Sequence, residues 1–156
     1  MFNGAPMPDK KRIMVIDDEP AMLGFVSAKL TAAGYEVIAI TSGEEALREA
    51  RARPVDVVLL DLFMVPMSGF LVLDGLRSFS DVPVIIFTAH PYLAEKARRL
   101  GADDFIAKPF DPDILIGKIA RLLAGERKTT ARPAGGVRGE PAAPSVEAAA
   151  SGKDRP

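Results

Sequence analysis

Residues 13–20 read Ile-Met-Val-Ile-Asp-Asp-Glu-Pro, so that an apolar run precedes three carboxylates and a proline. A continuous apolar run is typical of a strand that is covered on both faces of a parallel sheet. Proline is favoured in the first turn of a helix, where its missing N–H leaves no hydrogen bond unmade. The stretch therefore predicts a strand, an acidic turn and a helix in that order.

The same order of strand and helix recurs along the chain. Further apolar runs lie at 37–40, 57–60, 84–87 and 105–107. Helices are predicted to begin at Pro20, at Ser42 with Glu45 as its capping-box partner, near Gly69, near Leu93 and at Asp111-Pro112. Strands that alternate with helices predict an α/β fold. We expect a doubly wound five-stranded parallel sheet with the strand order 2-1-3-4-5.

Composition divides the chain into three parts. The alternating pattern occupies residues 10–125, which form the predicted domain. Residues 126–156 are rich in Ala, Pro and Gly, and they contain only Val137 and Val146 as larger apolar residues. Such a segment buries too little apolar surface to offset its ordering entropy, so we expect a disordered tail. A docking segment is the alternative interpretation. Residues 1–9 are expected to form a flexible N-terminus.

The composition of the 156 residues also excludes several classes of function. The absence of Cys excludes disulfides, zinc–thiolate sites and thiol catalysis, and a single His excludes a site of several histidine ligands. The net charge of −1 gives no reason to expect nucleic acid or an anionic membrane as the main partner. No apolar run approaches the roughly 20 residues of a membrane span, and the N-terminus has no secretory pattern. We therefore expect a cytoplasmic protein.

Polar residues follow the predicted strands at their carboxyl ends. They are Asp17, Asp18 and Glu19 after the first strand, Asp61 after the third, Thr88 after the fourth and Lys108-Pro109 after the fifth. The carboxyl ends of parallel strands share one edge of the sheet, so these side chains are expected to lie together. Each residue alone is more often a cap, a turn former or a surface residue.

Together, these groups predict phosphoryl chemistry. Clustered carboxylates raise each other's pKa unless a cation joins them, and Mg²⁺ accepts oxygen ligands of this kind. Asp61 is placed to act as a nucleophile that forms an acyl phosphate. Thr88 can donate a hydrogen bond to one phosphoryl oxygen, and the Lys108 ammonium can neutralise another.

Five separated motifs resemble the receiver domain of two-component response regulators. They are VIDDEP at 15–20, TSGEEAL at 41–47, LLDL at 59–62, FTAH at 87–90 and GADDFIAKPF at 101–110. The resemblance covers about residues 10–124 and implies the flavodoxin-like receiver fold. It also implies that Asp61 receives a phosphoryl group from the phosphohistidine of a sensor histidine kinase or phosphotransfer protein.

The resemblance assigns a metal site. Asp18, Asp61 and the backbone carbonyl of Phe63 would bind Mg²⁺, and Asp17 would support the metal directly or through water. Proteins of this family are not enzymes in the sense of turnover, although they catalyse their own phosphorylation.

The resemblance also assigns a switch. Thr88 would move onto the phosphoryl group, and the rotamer of Phe105 would follow it; a plain core aromatic is the alternative for Phe105. Lys108 would pair with a phosphoryl oxygen. The Lys108-Pro109 peptide bond is expected to be cis.

The sequence departs from the family pattern near the acceptor. The usual Met-Pro pair is interrupted, since Met64 is followed by Val65 and Pro66 comes one position late. The stretch from Thr88 to Lys108 is shorter than usual, on the surface where receivers meet their outputs.

We expect no effector domain after the predicted receiver. Residues 126–156 are too short and too poor in apolar residues for a helix-turn-helix. We therefore expect a stand-alone receiver that signals by phosphorylation-dependent binding to a downstream protein target. Its expected state is a monomer or a weak phosphorylation-dependent dimer, without direct DNA binding and without a membrane contact.

Two alternatives stay open. One is a phosphorylation-independent interaction module with a receiver fold. The other is a Mg²⁺-dependent phosphohydrolase, which needs an acid or base near Asp61, whereas position 63 is Phe.

The lifetime of the acyl phosphate is expected to depend on two positions. In the family, the residues two after the acceptor and two after the switch hydroxyl border the path of the hydrolytic water; here these are Phe63 and His90. Phe63 cannot orient a water, which predicts a long-lived phosphorylated state. His90 can orient water when neutral or contact the phosphoryl group when charged, and an exposed loop residue is the alternative.

Overall fold

The computed structural model describes residues 9–126, so the predicted tail and N-terminal segment lie almost entirely outside the described residues. The strands β1 to β5 are Arg12–Ile16, Glu36–Ile40, Val57–Leu60, Val84–Thr88 and Asp104–Ala107. The helices α1 to α5 are Pro20–Ala32, Gly43–Ala52, Gly69–Arg77, Ala94–Arg99 and Pro112–Leu123. A short 3₁₀ turn at Pro91–Leu93 precedes α4.

The strands form one parallel sheet in the order β2-β1-β3-β4-β5, which confirms the predicted α/β fold and strand order. In β1, Ile13 lies opposite Val37 of β2 on one side and Val57 of β3 on the other. β2 and β3 therefore lie on opposite sides of β1, so the order of the strands reverses at β1. Loops at such a switch point form a crevice at the carboxyl ends of the strands, where α/β proteins bind ligands.

The central strands carry apolar side chains on both faces, because helices cover the sheet on both sides. Met14, Val58 and Ile86 face a cluster that α2, α3 and α4 complete. Their neighbours Ile13 and Val57 face a second cluster with α1 and α5. Each fully buried aliphatic side chain stabilises the fold by about 1.5–3 kcal/mol. This double burial explains why the strands read as continuous apolar runs.

Side-chain caps and glycines set the helix boundaries. The Ser42 hydroxyl accepts a hydrogen bond from the Glu45 backbone N–H at 3.3 Å, as predicted for the start of α2. Ser68 caps α3 in the same way, which the sequence analysis did not predict. Gly34 and Gly101 follow α1 and α4 with φ of 100° and 108°, a conformation that favours glycine.

One boundary differs from prediction in detail. Thr88 is the last residue of β4 and pairs with Ala107, so it belongs to the strand and does not follow it. The fourth helix is short, since Pro91 opens a 3₁₀ turn before the regular helix begins at Ala94. Within residues 9–126, no helix has the length and apolar character that crossing a membrane requires.

Candidate functional site

Asp61 lies at the carboxyl end of β3 and is 6% exposed. Its backbone N–H donates to the Ile16 carbonyl at 3.0 Å, which extends the β1–β3 ladder into the site. Its carboxylate Oδ1 accepts from the Phe63 backbone N–H at 3.4 Å. Burial raises the pKa of Asp61 from 3.8 to about 6; the Lys108 ammonium lowers it and the Asp17 carboxylate adds to the rise. Asp61 is still ionised at neutral pH.

The structure brings the three predicted acidic residues together. One carboxylate oxygen each from Asp17, Asp18 and Asp61 lies within 4.8 Å of the other two. Asp17 and Asp61 are buried, whereas Asp18 is the most exposed of the three. Hard oxygen donors, open to water on one side, fit Mg²⁺, which keeps several waters beside one or two carboxylates.

The three carboxylates have different partners. Both oxygens of Asp17 have protein donors, since Oδ1 accepts from the Glu19 backbone N–H at 2.9 Å and Oδ2 from Lys108 Nζ at 2.8 Å. Asp18 Oδ2 accepts from the Val65 backbone N–H at 3.3 Å. Asp17 is therefore engaged with the protein on both sides, and Asp18 and Asp61 keep more room for further ligands.

Lys108 reaches into the acidic cluster from the end of β5. Its Nζ lies 3.7 Å from Asp61 Oδ2, and it lies 4.7 Å from the centre of the Phe87 ring. The Lys108 side chain is 13% exposed, so its charge is weakly screened. The Lys108-Pro109 peptide bond is cis, and so is the Val65-Pro66 bond, which the sequence analysis did not predict.

Thr88 is fully buried at the end of β4. Its backbone carbonyl accepts from the Lys108 N–H at 2.9 Å. Its hydroxyl oxygen accepts from the His90 backbone N–H at 3.2 Å, which leaves the hydroxyl proton available for donation elsewhere.

Three aromatic rings lie side by side on the loops that follow β3 and β4. The rings of Phe63 and His90 stack with their centres 4.0 Å apart. The Tyr92 ring packs edge-on against His90, and its hydroxyl lies 3.3 Å from His90 Nδ1. We call Phe63, His90 and Tyr92 the aromatic row. Phe63 and Tyr92 are 51% and 74% exposed, so the row borders solvent.

Phe105 is half-buried on β5 and packs against the cluster beneath α4. It lines a cavity of about 150 Å³ together with Ile86, Ala94, Arg98 and Ala102. Space therefore exists beside the ring of the predicted switch residue.

Gly69 packs against the backbone of Asp61, whereas its sequence position predicts only the start of a helix. A Cβ atom at this position would lie 2.1 Å from the Asp61 backbone carbonyl oxygen. Its N–H donates to the Leu62 carbonyl at 2.9 Å, which closes the loop after β3. The signal in the sequence is the glycine directly after Ser68, since a close backbone approach admits no other residue.

Comparison with known proteins defines the class to which this fold and site belong. The chain is a member of the response regulator receiver domain family, whose model matches residues 13–120. The family comprises the receiver domains of the response regulators of bacterial two-component systems. The resemblance inferred from the sequence motifs is thereby confirmed.

The chain is similar to transcriptional regulators. It is 45% identical over 121 residues to the transcriptional regulatory protein KdpE of Mycobacterium tuberculosis, covering 76% of this chain and 52% of that protein. It is 39% identical over 123 residues to the probable transcriptional regulator ycf27 of Pyropia yezoensis, covering 78% and 51%. The chain thus spans about half the length of these relatives.

Solved structures give the same result. The CheY-like receiver domain protein of Methanospirillum hungatei superposes with a TM-score of 0.70 at 27% identity, covering 74% of this chain and 95% of that chain. The response regulator TrrA of Thermotoga maritima, solved in complex with Mg²⁺ and BeF, superposes with a TM-score of 0.68 at 34% identity, covering 72% and 98%.

Proposed function

We propose that Asp61 accepts a phosphoryl group from a sensor histidine kinase or phosphotransfer protein. The observation that supports this is the buried, ionised Asp61 carboxylate between two further carboxylates and the Lys108 ammonium. In the proposed step, a carboxylate oxygen of Asp61 attacks phosphorus and the bond from phosphorus to the donor's imidazole nitrogen breaks. The electron pair of that bond returns to the imidazole.

The residues around Asp61 would supply positive charge to the phosphoryl oxygens in this step. Asp18, Asp61 and the Phe63 carbonyl would hold Mg²⁺, with Asp17 as a supporting group. Bound Mg²⁺ neutralises charge on the phosphoryl oxygens. Lys108 has a weakly screened charge and is close enough to Asp61 to pair with another phosphoryl oxygen.

The proposed signal starts at Thr88. Its hydroxyl proton is available, and donation to a phosphoryl oxygen would draw the backbone of β4 and the following loop toward the acceptor. The Phe105 ring would then move into the neighbouring cavity. This change biases an existing equilibrium between inactive and active forms, and the proposed output is binding to a downstream protein.

Phosphorylation with a small donor tests the acceptor. Incubation of the full chain with acetyl phosphate and Mg²⁺ should add one phosphoryl group by intact mass, and a chelator should prevent this. Asp61→Asn should abolish labelling, because the amide is a far weaker nucleophile. Asp74→Asn, on the exposed side of α3, is the matched control and should label like the parent. Undiminished labelling of Asp61→Asn would contradict the proposed acceptor.

The same experiment separates the two alternatives. A folded protein that takes up no phosphoryl group would indicate a phosphorylation-independent interaction module. Continuous consumption of donor without labelled protein would indicate a phosphohydrolase. Labelling that is limited to one group at Asp61 supports a signalling protein without turnover. A cytoplasmic location belongs to this proposal, because a kinase needs ATP.

Transcriptional regulation is a second candidate output. The observation that favours it is the similarity to KdpE and ycf27, which are called transcriptional regulators and are about twice as long as the matched region. A shift of duplex DNA by the phosphorylated full chain in a gel would support this output. Protein capture without a DNA shift would support the proposed binding to a protein target.

A further inference from the structure

The loop after β3 donates backbone hydrogen bonds to two of the three carboxylates. The Phe63 N–H donates to Asp61 Oδ1, and the Val65 N–H donates to Asp18 Oδ2 at 3.3 Å. The second bond joins residues that are 47 positions apart, and so it ties the loop after β3 to the loop after β1. In residues 9–126, no other donor forms a hydrogen bond with the Asp18 carboxylate.

The Val65 side chain has little part in this arrangement. It is 78% exposed, so it contributes almost no apolar burial. The group that acts is the backbone N–H, which every residue except proline provides. The sequence carries Val65 and Pro66 in this order, whereas the reverse order would remove the donor from position 65.

An N–H that donates to a carboxylate both orients the carboxylate and stabilises its negative charge. Hydrogen bonds to an ionised acceptor are about twice as strong as those between neutral groups. Such a bond favours the charged form and restricts the rotamer of a partly exposed side chain. Outer groups that orient a metal ligand typically change metal affinity by about 10–100-fold.

We propose that the Val65 N–H is a positioning group that holds Asp18 ready for Mg²⁺. Oδ2 is engaged by the loop, and Oδ1 is left for the metal. The loop after β3 thereby supports two metal ligands at once. This inference rests on the proposed function, since it assumes that Asp18 is a metal ligand.

A pair of variants tests the inference. Val65→Ala keeps the N–H and should keep the Mg²⁺ dissociation constant of the unphosphorylated full chain, measured by calorimetry. Val65→Pro removes the N–H and should raise that constant about tenfold, the lower end for an outer group, because the bond is exposed. Phosphorylation by acetyl phosphate should need correspondingly more Mg²⁺ for half-saturation, with the rate at saturating Mg²⁺ nearly unchanged. Equal Mg²⁺ affinity in both variants would overturn the inference, and so would tighter binding by Val65→Pro.

A spectroscopic measurement covers the case in which Val65→Pro does not fold. Asp18→Ala removes the acceptor, so the Val65 amide proton should move upfield relative to the parent without Mg²⁺. An unmoved Val65 resonance would overturn the inference. Failure of the proposed metal site looks different: the parent itself would bind no Mg²⁺, or Asp18→Ala would bind it as well as the parent does.

Discussion

The rings of Phe63 and His90 stack with their centres 4.0 Å apart and their planes tilted by 33°. Phe63 lies two residues after Asp61, and His90 lies two residues after Thr88. The stack therefore bridges the loop that follows the proposed acceptor and the loop that follows the proposed switch hydroxyl. Aromatic pairs of this kind contribute about 0.5–1.5 kcal/mol beyond the apolar area that they bury.

The stack predicts slow hydrolysis of the phosphorylated state. Phe63 offers no hydrogen bond to a water, and His90 is held against it by the stack and by the Tyr92 hydroxyl. Phe63→Asn should break the stack and introduce an amide that can orient water, so the phosphoryl group should be lost several-fold faster. Decay is followed by intact mass after removal of the donor.

Leu71→Asn is the matched control for this prediction, because Leu71 is also exposed and apolar but lies on α3. It should decay like the parent. Decay of Phe63→Asn at the parental rate, or more slowly, would contradict a role of Phe63 in the lifetime.

The raised pKa of Asp61 predicts that its ionised carboxylate destabilises the metal-free fold at neutral pH. The pKa is about 6 in the folded state and 3.8 ordinarily, so the folded protein binds more protons between these values. The ionised carboxylate therefore lowers the free energy of unfolding above pH 6, and the effect vanishes below about pH 4. Asp61→Asn should stabilise the chelator-treated protein at pH 7.5 by about 3 kcal/mol.

Urea unfolding at pH 7.5 and pH 4 measures this difference. Added Mg²⁺ should reduce the difference in the free energy of unfolding between Asp61→Asn and the parent at pH 7.5, because Mg²⁺ stabilises the folded parent by binding to it. If Asp61→Asn is less stable than the parent at pH 7.5, the ionised Asp61 carboxylate does not destabilise the fold.

The close approach of Gly69 to the Asp61 backbone predicts a large effect of one methyl group at position 69. In Gly69→Ala the Cβ would meet the Asp61 carbonyl oxygen at 2.1 Å, and this oxygen is backbone, which cannot turn aside. We expect a loss of more than about 2 kcal/mol in the free energy of unfolding, as is typical of overpacking, together with weaker phosphorylation.

Gly117→Ala provides the control. Gly117 lies within α5, and nothing lies within 4 Å of a Cβ placed there. Alanine is the better helix former by about 1 kcal/mol, so this variant should be more stable than the parent. Equal stability of Gly69→Ala and the parent would mean that the loop after β3 relaxes freely.

Truncation tests the predicted tail. A chain without residues 126–156 should keep the parental melting temperature, Mg²⁺ affinity and labelling, because the tail has few apolar residues to pack on the domain. A clear fall in melting temperature would count against disorder. Loss of signalling in cells with normal labelling would favour the docking interpretation.

The sheet and the acidic cluster could be predicted because each depends on residue type. The sheet depends on apolar residues within the strands, and the cluster depends on acidic residues at the strand ends. Apolar runs specify buried strands, and parallel pairing then brings Asp17, Asp18 and Asp61 to one edge. The contacts made by loops could not be predicted in this way. The stack of Phe63 on His90 depends on side-chain directions in two loops, which tertiary packing decides.

Contacts made by backbone groups could not be predicted from the sequence either. Every residue except proline has a backbone N–H that can donate a hydrogen bond as Val65 does. The identity of residue 65 therefore does not predict the bond to Asp18. The glycine at position 69 was visible, but its contact with the Asp61 carbonyl follows from the path of the loop and not from the residue itself.

The directions of β1 and α5, the first and last elements of the described chain, have a practical consequence for attaching this molecule to a surface. β1 begins at the edge of the sheet away from Asp61, and α5 runs back toward that edge over about 18 Å, given a rise of 1.5 Å per residue. Asp9 and Glu126 therefore both lie at the end of the domain opposite Asp61. A bead, a fluorophore or a fused partner attached at either point would lie on the far side of the domain and leave the proposed phosphoryl-accepting face accessible to a kinase.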